Sequence, residues 1–462
     1  MTKRESNQLS LFTTSLEEVV PKEHFLRQLD TTVEFSFIYD ELAPYYCASN
    51  GRPSTDPVII VKQLLIGFLY GIDSERKLEE ECKYNVAYRW FLGLRFDEAI
   101  PDHSTISQLR RRKFNDADLF RKLFIQVLKL CVEAGLVRGK LLLTDSTHVK
   151  ANASKTSKEK IEIEYSVDEY FKKLDEYEAE ERENLGLPEI TRKPPKPKKT
   201  KQTKSTTDPD AGWLCRPGKP EGFHYLAHQT LDAENGIIVD THVTAGNVPD
   251  NIPYPEQIKR SIDTLEEMNI HVEAVGADCA YDTIMIHKEL EDRAVKVYMP
   301  KKETSDNSKA EFKRSDFTYD QDKDEFTCPA GRVLSLRCLQ RTEYGVHREY
   351  RANTKECKNC PMREKCLAPS QTSRKIQVNI FQHIVDKHHE ADGTPEYHEA
   401  LKQRQIWCEG TFANQKSKHN LKQLFRRGLK AVADHCFLSA CVVNLKRLIK
   451  SQLQVQKCPV GG

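Results

Sequence analysis

Apolar residues recur at helical spacing through the first 135 residues. In "STDPVIIVKQLLIGFLYG" they follow Asp56, whose side chain suits a helix N-cap, and Pro57, whose missing amide costs nothing at the first helical position. "DSERKLEEECKYNVAYRWFLGL" keeps the same period. "PDHSTISQLRRRKF" predicts a short helix, capped at Ser104 or Thr105 and ending in Arg110, Arg111, Arg112 and Lys113. "DADLFRKLFIQVLKLCVEAGLV" predicts an amphipathic helix from about Asp116 to Ala134, stopped by Gly135. The expectation is an all-α N-terminal segment over 1–135. Its basic short helix suits either a helix-turn-helix-like DNA contact or a packing and dimerisation role.

The pattern changes at Lys140. "KLLLTDSTHVKA" reads as a buried strand with an aspartate inside it. "GFHYLAHQTLD" and "GIIVDTHVTAG" read as two further strands joined by the turn "AENG". "PYPEQIKRSIDTLEEMN" predicts a helix, "HVEAVGAD" a strand ending at Asp278, "IMIHKELEDRA" a helix and "KVYMP" a strand. A hairpin followed by crossover units predicts a mixed α/β sheet flanked by helices over 136–300. Within it, 154–208 is a charged insert, expected to be a helix followed by a flexible Pro/Lys-rich linker. A cysteine-rich insertion is expected over 301–394, and helices over 395–462.

The 462 residues are 38% hydrophobic and 30% charged, with a formal net charge of +2. No apolar run approaches the roughly 18 residues of a membrane span. The N-terminal stretch has no apolar signal-peptide core. A soluble cytoplasmic protein without a membrane partner is the expectation. Basic charge is concentrated. Residues 401–450 hold eleven Lys and Arg against Glu409 and Asp434, and "RKPPKPKKTKQTKS" holds seven and no acid. A solvated face accounts for the second run; the first suggests a polyanion. Of the fourteen cysteines, Cys328, Cys338, Cys357, Cys360 and Cys366 lie close together in sequence. Cys357-x2-Cys360 is half of a common zinc site, and Cys328 and Cys366 would complete four thiolates. Reduced buried thiols fit the same spacing.

Burying an unpaired carboxylate in a strand costs several kcal/mol, on the order of the penalty for any unsolvated ion. Asp145, in "LLLTDSTH", therefore needs a partner. Asp278 ends another strand, and Glu409 sits in "QIWCEGTFANQK". Strand ends are where α/β sheets place ligands. Acids gathered there stay ionised together only around a cation. Magnesium, a hard ion that prefers oxygen ligands, suits three carboxylates and a phosphate. Lys416 follows Glu409 by seven residues, nearly two helical turns, so the two share a face.

Three stretches then carry a resemblance: "LLLTDSTHVKANAS", "AVGADCAYDT" and "CEGTFANQKSKHNLKQLFRRGL". With "GRPSTDPVIIVKQLLIGFLYGIDSERKLEEECKYNVAYRWFLGL" and "PDHSTISQLRRRKF", they resemble bacterial insertion-sequence transposases of the DDE class. The 1182-type group, with its InsH-like N-terminal domain, is the most similar. The resemblance covers about Phe25 to Ile449. It implies an RNase H-like fold and magnesium-dependent cutting and joining of double-stranded DNA, at terminal inverted repeats and at the target.

By this resemblance Asp145 would bridge two magnesium ions, which manganese can replace, and Asp278 and Glu409 would each hold one. Lys416 fits the lysine that follows the glutamate in related families. Lys418, Lys422, Arg426 and Arg427, with Arg110, Arg111 and Arg112, are the candidate DNA contacts. The Tyr and Arg that precede the glutamate in related families are unmatched, since Lys402 and Gln405 stand there, and Arg404 is one position off. Tyr281, Asp282 and His148 are expected to be structural. The resemblance also implies a homodimer in the synaptic complex and a place at the bacterial nucleoid. A domesticated, catalytically silent DNA-binding protein is the alternative, as is a nuclease that only hydrolyses. The intact acids favour an enzyme, and the N-terminal and C-terminal basic segments favour transposition.

Overall fold

The computed structural model describes residues 15–46, 55–165, 168–192, 198–216, 218, 221–302, 311–342 and 345–457. The chain forms two compact units. Met1–Glu159, Thr203–Asp278 and Pro395–Gly462 make the first; Lys160–Gln202 and Cys279–Thr394 make the second.

In the first unit the helix Pro57–Tyr70 begins as its sequence dictates. Asp56 accepts from the Val58 amide at 2.8 Å, and Gly71 closes the helix in the left-handed conformation. Helix Leu119–Glu133 and the 29-residue helix Leu429–Lys457 bury apolar faces in the same core. That core also takes in Leu143, Leu231 and Ile238 of the sheet. The N-terminal helices thus share one core with the sheet and the C-terminal helix, so residue 135 is no boundary between cores.

The first unit's sheet strands are β1 (Leu142–Lys150), β4 (Gly212–Leu214), β5 (Gly222–Asp232), β6 (Ile238–Ala245) and β7 (Ala274–Gly276); β2 (Lys158–Tyr165) and β3 (Lys198–Ser205) belong mostly to the second unit. β1 pairs antiparallel with β5 along its length, from Leu142 opposite Asp232 to Lys150 opposite His224. β6 pairs antiparallel with the other edge of β5, and β4 continues that edge past the end of β6. β7 joins β1 in parallel, with Leu142 opposite Val275 and Leu143 opposite Gly276. The central order is therefore β6-β5-β1-β7. All of β5 is buried, as expected of a strand covered on both faces. The turn at 233–236 forms the β5–β6 hairpin, with Gly236 at φ +69°.

The charged insert departs from expectation. Lys158–Tyr165 is a strand, the helix starts only at Asp168 and runs to Asn184, and the supposed linker holds β3, paired with β2. "KEKIEIEY" alternates charged and apolar residues with period two, a strand signature hidden by its charge. Lys193 and Lys196 of the basic run lie outside the described residues.

The second unit holds β8 (Lys296–Tyr298) and an antiparallel sheet of β9 (Thr318–Asp320), β10 (Glu325–Thr327), β11 (Val333–Thr342), β12 (Gly345–Ala352) and β13 (Lys375–Asn379). These five strands run in the order β13-β12-β11-β10-β9. Helix Asp168–Asn184 lies against β11 and β12, where Glu181 pairs with Arg348 and Asp175 with Arg341, both at 2.5 Å. A small core of Phe317, Phe326, Leu334, Tyr350 and Ile376 holds this unit. Among the described residues, no single helix is long and apolar enough to cross a membrane.

One buried side chain joins the C-terminal helix to the hairpin. Asn444, fully buried, accepts from the Ile238 amide at 2.9 Å and donates to the Ile238 carbonyl at 2.8 Å. Asn444→Leu keeps the volume but strands both backbone groups, and is expected to cost about 2–5 kcal/mol. The midpoint of urea unfolding reads this loss.

Candidate active site

β1 carries Asp145 beyond the fully buried run Leu142, Leu143 and Thr144. Its side chain keeps 18% of its accessibility. The β1–β7 pairing ends at Leu143 and Gly276, two residues before Asp145 and Asp278. The charge of Asp278 acts on Asp145, as does that of Asp250, whose carboxylate accepts from the Ser146 hydroxyl at 2.5 Å. Burial pushes the Asp145 carboxyl up to about 6, against the pull of Arg404 and the Ser146 amide.

Arg404 donates to Asp145 Oδ2 at 3.1 Å. It ends the helix Pro395–Arg404, which packs on β1 and β7. Next comes a single π-helical turn, Gln405–Glu409, and then the helix Gly410–Lys418. In a regular α-helix, residues five apart point about 140° away from each other. The wider turn closes much of that gap, so Arg404 and Glu409 approach one side. Glu409 is exposed, and its turn packs against β1. Cys408 beside it is buried, and its thiol feels the charges of both Asp145 and Glu409. Lys416 donates to Thr147 Oγ1 at 2.6 Å. Thr147 lies two residues after Asp145, on the same face of β1. Arg404 and Lys416 therefore clamp one strand face from the two sides of Glu409.

A second layer fixes the turn. Arg447, on the C-terminal helix, donates to Thr411 Oγ1 at 2.7 Å and to the Gly236 carbonyl, and its guanidinium lies 5.4 Å from the centre of the Trp407 ring. A Cβ on Gly236 would stand 2.3 Å from that ring. The hairpin tip thus needs glycine both for its positive φ and for this close approach.

Residues 14–112 match the family described as Transposase domain (DUF772), and residues 327–449 match Transposase DDE domain. The second match contains Glu409, Lys416 and the helix around them. Both matches are to transposase domains, and together they indicate an insertion-sequence DDE transposase. Among solved structures, the transposase is similar to the piggyBac transposase synaptic complex with hairpin DNA. There the identity is 12%, the TM-score 0.34, and the coverage 96% of this chain and 76% of that one. It is also similar to the Mos1 transposase paired-end complex with left transposon end, at 10% identity and TM-score 0.17, covering 55% and 61%. A third likeness is the Mos1 mariner paired-end complex with Mn, at 12% and 0.17, covering 56% and 64%. The transposase spans less than two thirds of the Mos1 chains. These likenesses are too distant to carry weight in assigning its site.

The basic candidates separate by environment. Lys418, Lys422 and Arg427 are exposed, the last donating to the Asn152 carbonyl at 2.9 Å. Arg426 is half-buried near Asp434, at 3.8 Å. Arg111 and Arg112 are exposed on the π-helical turn Arg110–Phe114. Arg110 is a correction. That turn swings its guanidinium inward, where it is buried and pairs with Glu75 at 2.9 Å, so it is not presented to a phosphate.

In the second unit, burial raises the Cys366 thiol, and Cys357, Cys328 and Cys360 act on it electrostatically, but no three of these four sulfurs lie within 4.8 Å of one another. They are free thiols. Cys328 Sγ accepts from the Arg332 amide at 3.3 Å. His148 contacts the Gly246 carbonyl at 3.2 Å. Sequence reasoning missed Asp250, the contact of Arg404 with Asp145, and Arg447. For Asp250 the polar loop "GNVPDN" after a strand was the available signal.

The Asp145–Arg404 pair is partly shielded from water. Unfolding of Asp145→Asn, Arg404→Gln and the double variant is expected to give a coupling of about 1–2 kcal/mol. Additive effects would show that Arg404 does not answer the charge of Asp145.

Proposed function

We propose that the transposase cuts DNA at the ends of its insertion sequence and joins the freed 3′-hydroxyl to target DNA. The observation that supports this is that the charge of Asp278 acts on Asp145 just past the paired part of β1 and β7, while the Glu409 turn packs on β1. The order β6-β5-β1-β7, antiparallel for three strands and parallel for the fourth, supports an RNase H-like sheet. The 1–135 segment is read as its DNA-binding and dimerisation part, 301–394 as an insertion, and 395–462 as the segment bearing the third acid.

The donor chemistry suits a hard cation, which would have to draw the three carboxylates together, since they do not lie within 4.8 Å of one another here. All three acids offer oxygen, and a carboxyl already pushed up by burial and by its acidic neighbours gains from a positive charge. Asp145, Asp278 and Glu409 would hold two magnesium ions, with manganese able to substitute. When bound, these ions neutralise charge on the scissile phosphate and lower the pKa of bound water. Lys416 and the exposed Lys418, Lys422 and Arg427 would grip the DNA backbone, with Arg111 and Arg112 as further contacts. Arg404 holds Asp145 in place. No serine or tyrosine nucleophile is required. Water opens the phosphodiester in the first step, and the new 3′-hydroxyl attacks in the second. Two ends must be held together, which favours a dimer. Cys328, Cys357, Cys360 and Cys366 would serve a structural zinc only after drawing closer together, and reduced thiols are the reading their spacing here favours. The place of action is the bacterial nucleoid.

The test is cleavage and strand transfer on DNA carrying the element ends, with magnesium or manganese. Asp145→Ala, Asp278→Ala and Glu409→Ala are each expected to lose ~10³-fold or more in cleavage, since several kcal/mol of transition-state stabilisation disappear. Their binding to the same DNA should persist. A wild type that binds ends but never cuts would make the chain a silent binder and overturn the proposal.

A further inference from the structure

A second group of metal-capable side chains lies within the second unit. Asp282, His287 and His389 bring one carboxylate oxygen and two ring nitrogens within 4.8 Å of one another. Asp282 Oδ1 is 2.7 Å from His287 Nε2 and 3.2 Å from His389 Nε2. The side chains are 8%, 1% and 8% exposed, in the order Asp282, His287, His389. The other Asp282 oxygen accepts from the Lys302 amide at 2.7 Å, which fixes the carboxylate. His287 Nδ1 faces His388 Nδ1 at 2.8 Å, and His388 Nε2 faces Glu291 at 2.9 Å. His389 Nδ1 faces Asp392 at 3.0 Å.

Counting hydrogens decides what these contacts need. Each of the five contacts requires one, because the partners are carboxylates or another ring nitrogen. Three neutral imidazoles supply only three, so the set closes either with two rings protonated or with a cation that takes the place of two hydrogens. Place a divalent cation against Asp282 Oδ1, His287 Nε2 and His389 Nε2, and two contacts no longer need a hydrogen. The remaining three take one N–H from each ring: His287 to His388, His388 to Glu291, and His389 to Asp392. Each ligating ring then donates outward from its far nitrogen, the arrangement that orients histidines on metals. Ligands on a tetrahedral zinc are about 3.4 Å apart, close to the spacing found here.

We propose that Asp282, His287 and His389 bind a divalent transition-metal ion of zinc's chemistry. It ties the helix Ile284–Asp292 to the helix Gln382–His389. Two nitrogens and one oxygen set it apart from the all-oxygen acid site and from the cysteine sulfurs. The proposal stands whether or not the chain cuts DNA.

The test is zinc uptake by the chelator-stripped full-length chain. Metal analysis is combined with X-ray absorption, which separates nitrogen and oxygen ligands at about 2.0 Å from sulfur at about 2.3 Å. Wild type is expected to hold a zinc with nitrogen and oxygen ligands. His287→Gln/His389→Gln is expected to lose it and leave any sulfur-bound zinc untouched. A wild type without nitrogen-bound zinc, or a variant that keeps it, overturns the proposal. If the double variant fails to fold, Asp392→Asn serves instead, and is expected to weaken zinc binding by about 10–100-fold. Unchanged affinity in that variant also overturns it.

Discussion

A carboxylate set in a buried strand has to be answered by positive charge, and the first unit is built around that demand. Asp145 follows three fully buried residues on the strand that pairs with both β5 and β7. Asp278 and Asp250 add negative charge to its surroundings. Arg404 gives one answer, at 3.1 Å. A cation shared with Asp278 and Glu409 would give a fuller one, because it relieves the repulsion that a single arginine only offsets. Rigid placement follows from the same strand. β1 is held on both edges, so its side chains cannot drift as those of a loop would.

The Glu409 helix reaches this strand through a linked set of contacts. Arg404 and Lys416 hold the face of β1, while Trp407 lies over the β5–β6 hairpin tip at Gly236. Arg447 and Asn444 connect that hairpin to the C-terminal helix. The C-terminal helix in turn shares its core with the N-terminal helices. The helical segment and the acid site are therefore parts of one packed body, and damage to the core should reach the site through Trp407 and Arg447.

What the sequence revealed follows from range. The helix Pro57–Tyr70, with its Asp-Pro start and glycine stop, is a local matter and was legible, as was the AENG hairpin. Asp145 stood out because a charge breaks an apolar run, and Asp278 because it ends one. The partner of Asp145 was not legible. Arg404 is 259 residues away, and the π-helical turn that turns it toward the site leaves no trace in a 3.6-residue period. Arg110 misled for a similar reason, since three successive arginines look alike until one of them is turned into the core. Strand β2 was read as helix because charge outweighed its alternation. Asp282, His287 and His389 are too far apart in sequence to form a motif, and only folding gathers them.

The central claim is that Asp145, Asp278 and Glu409 share a divalent cation. Crystals of the wild-type chain soaked in manganese, with data collected for anomalous scattering, address it most directly. The account predicts an anomalous peak in contact with oxygens of all three carboxylates, lost in crystals of Asp145→Asn. Manganese bound elsewhere on the molecule, with none at the three acids, would contradict it.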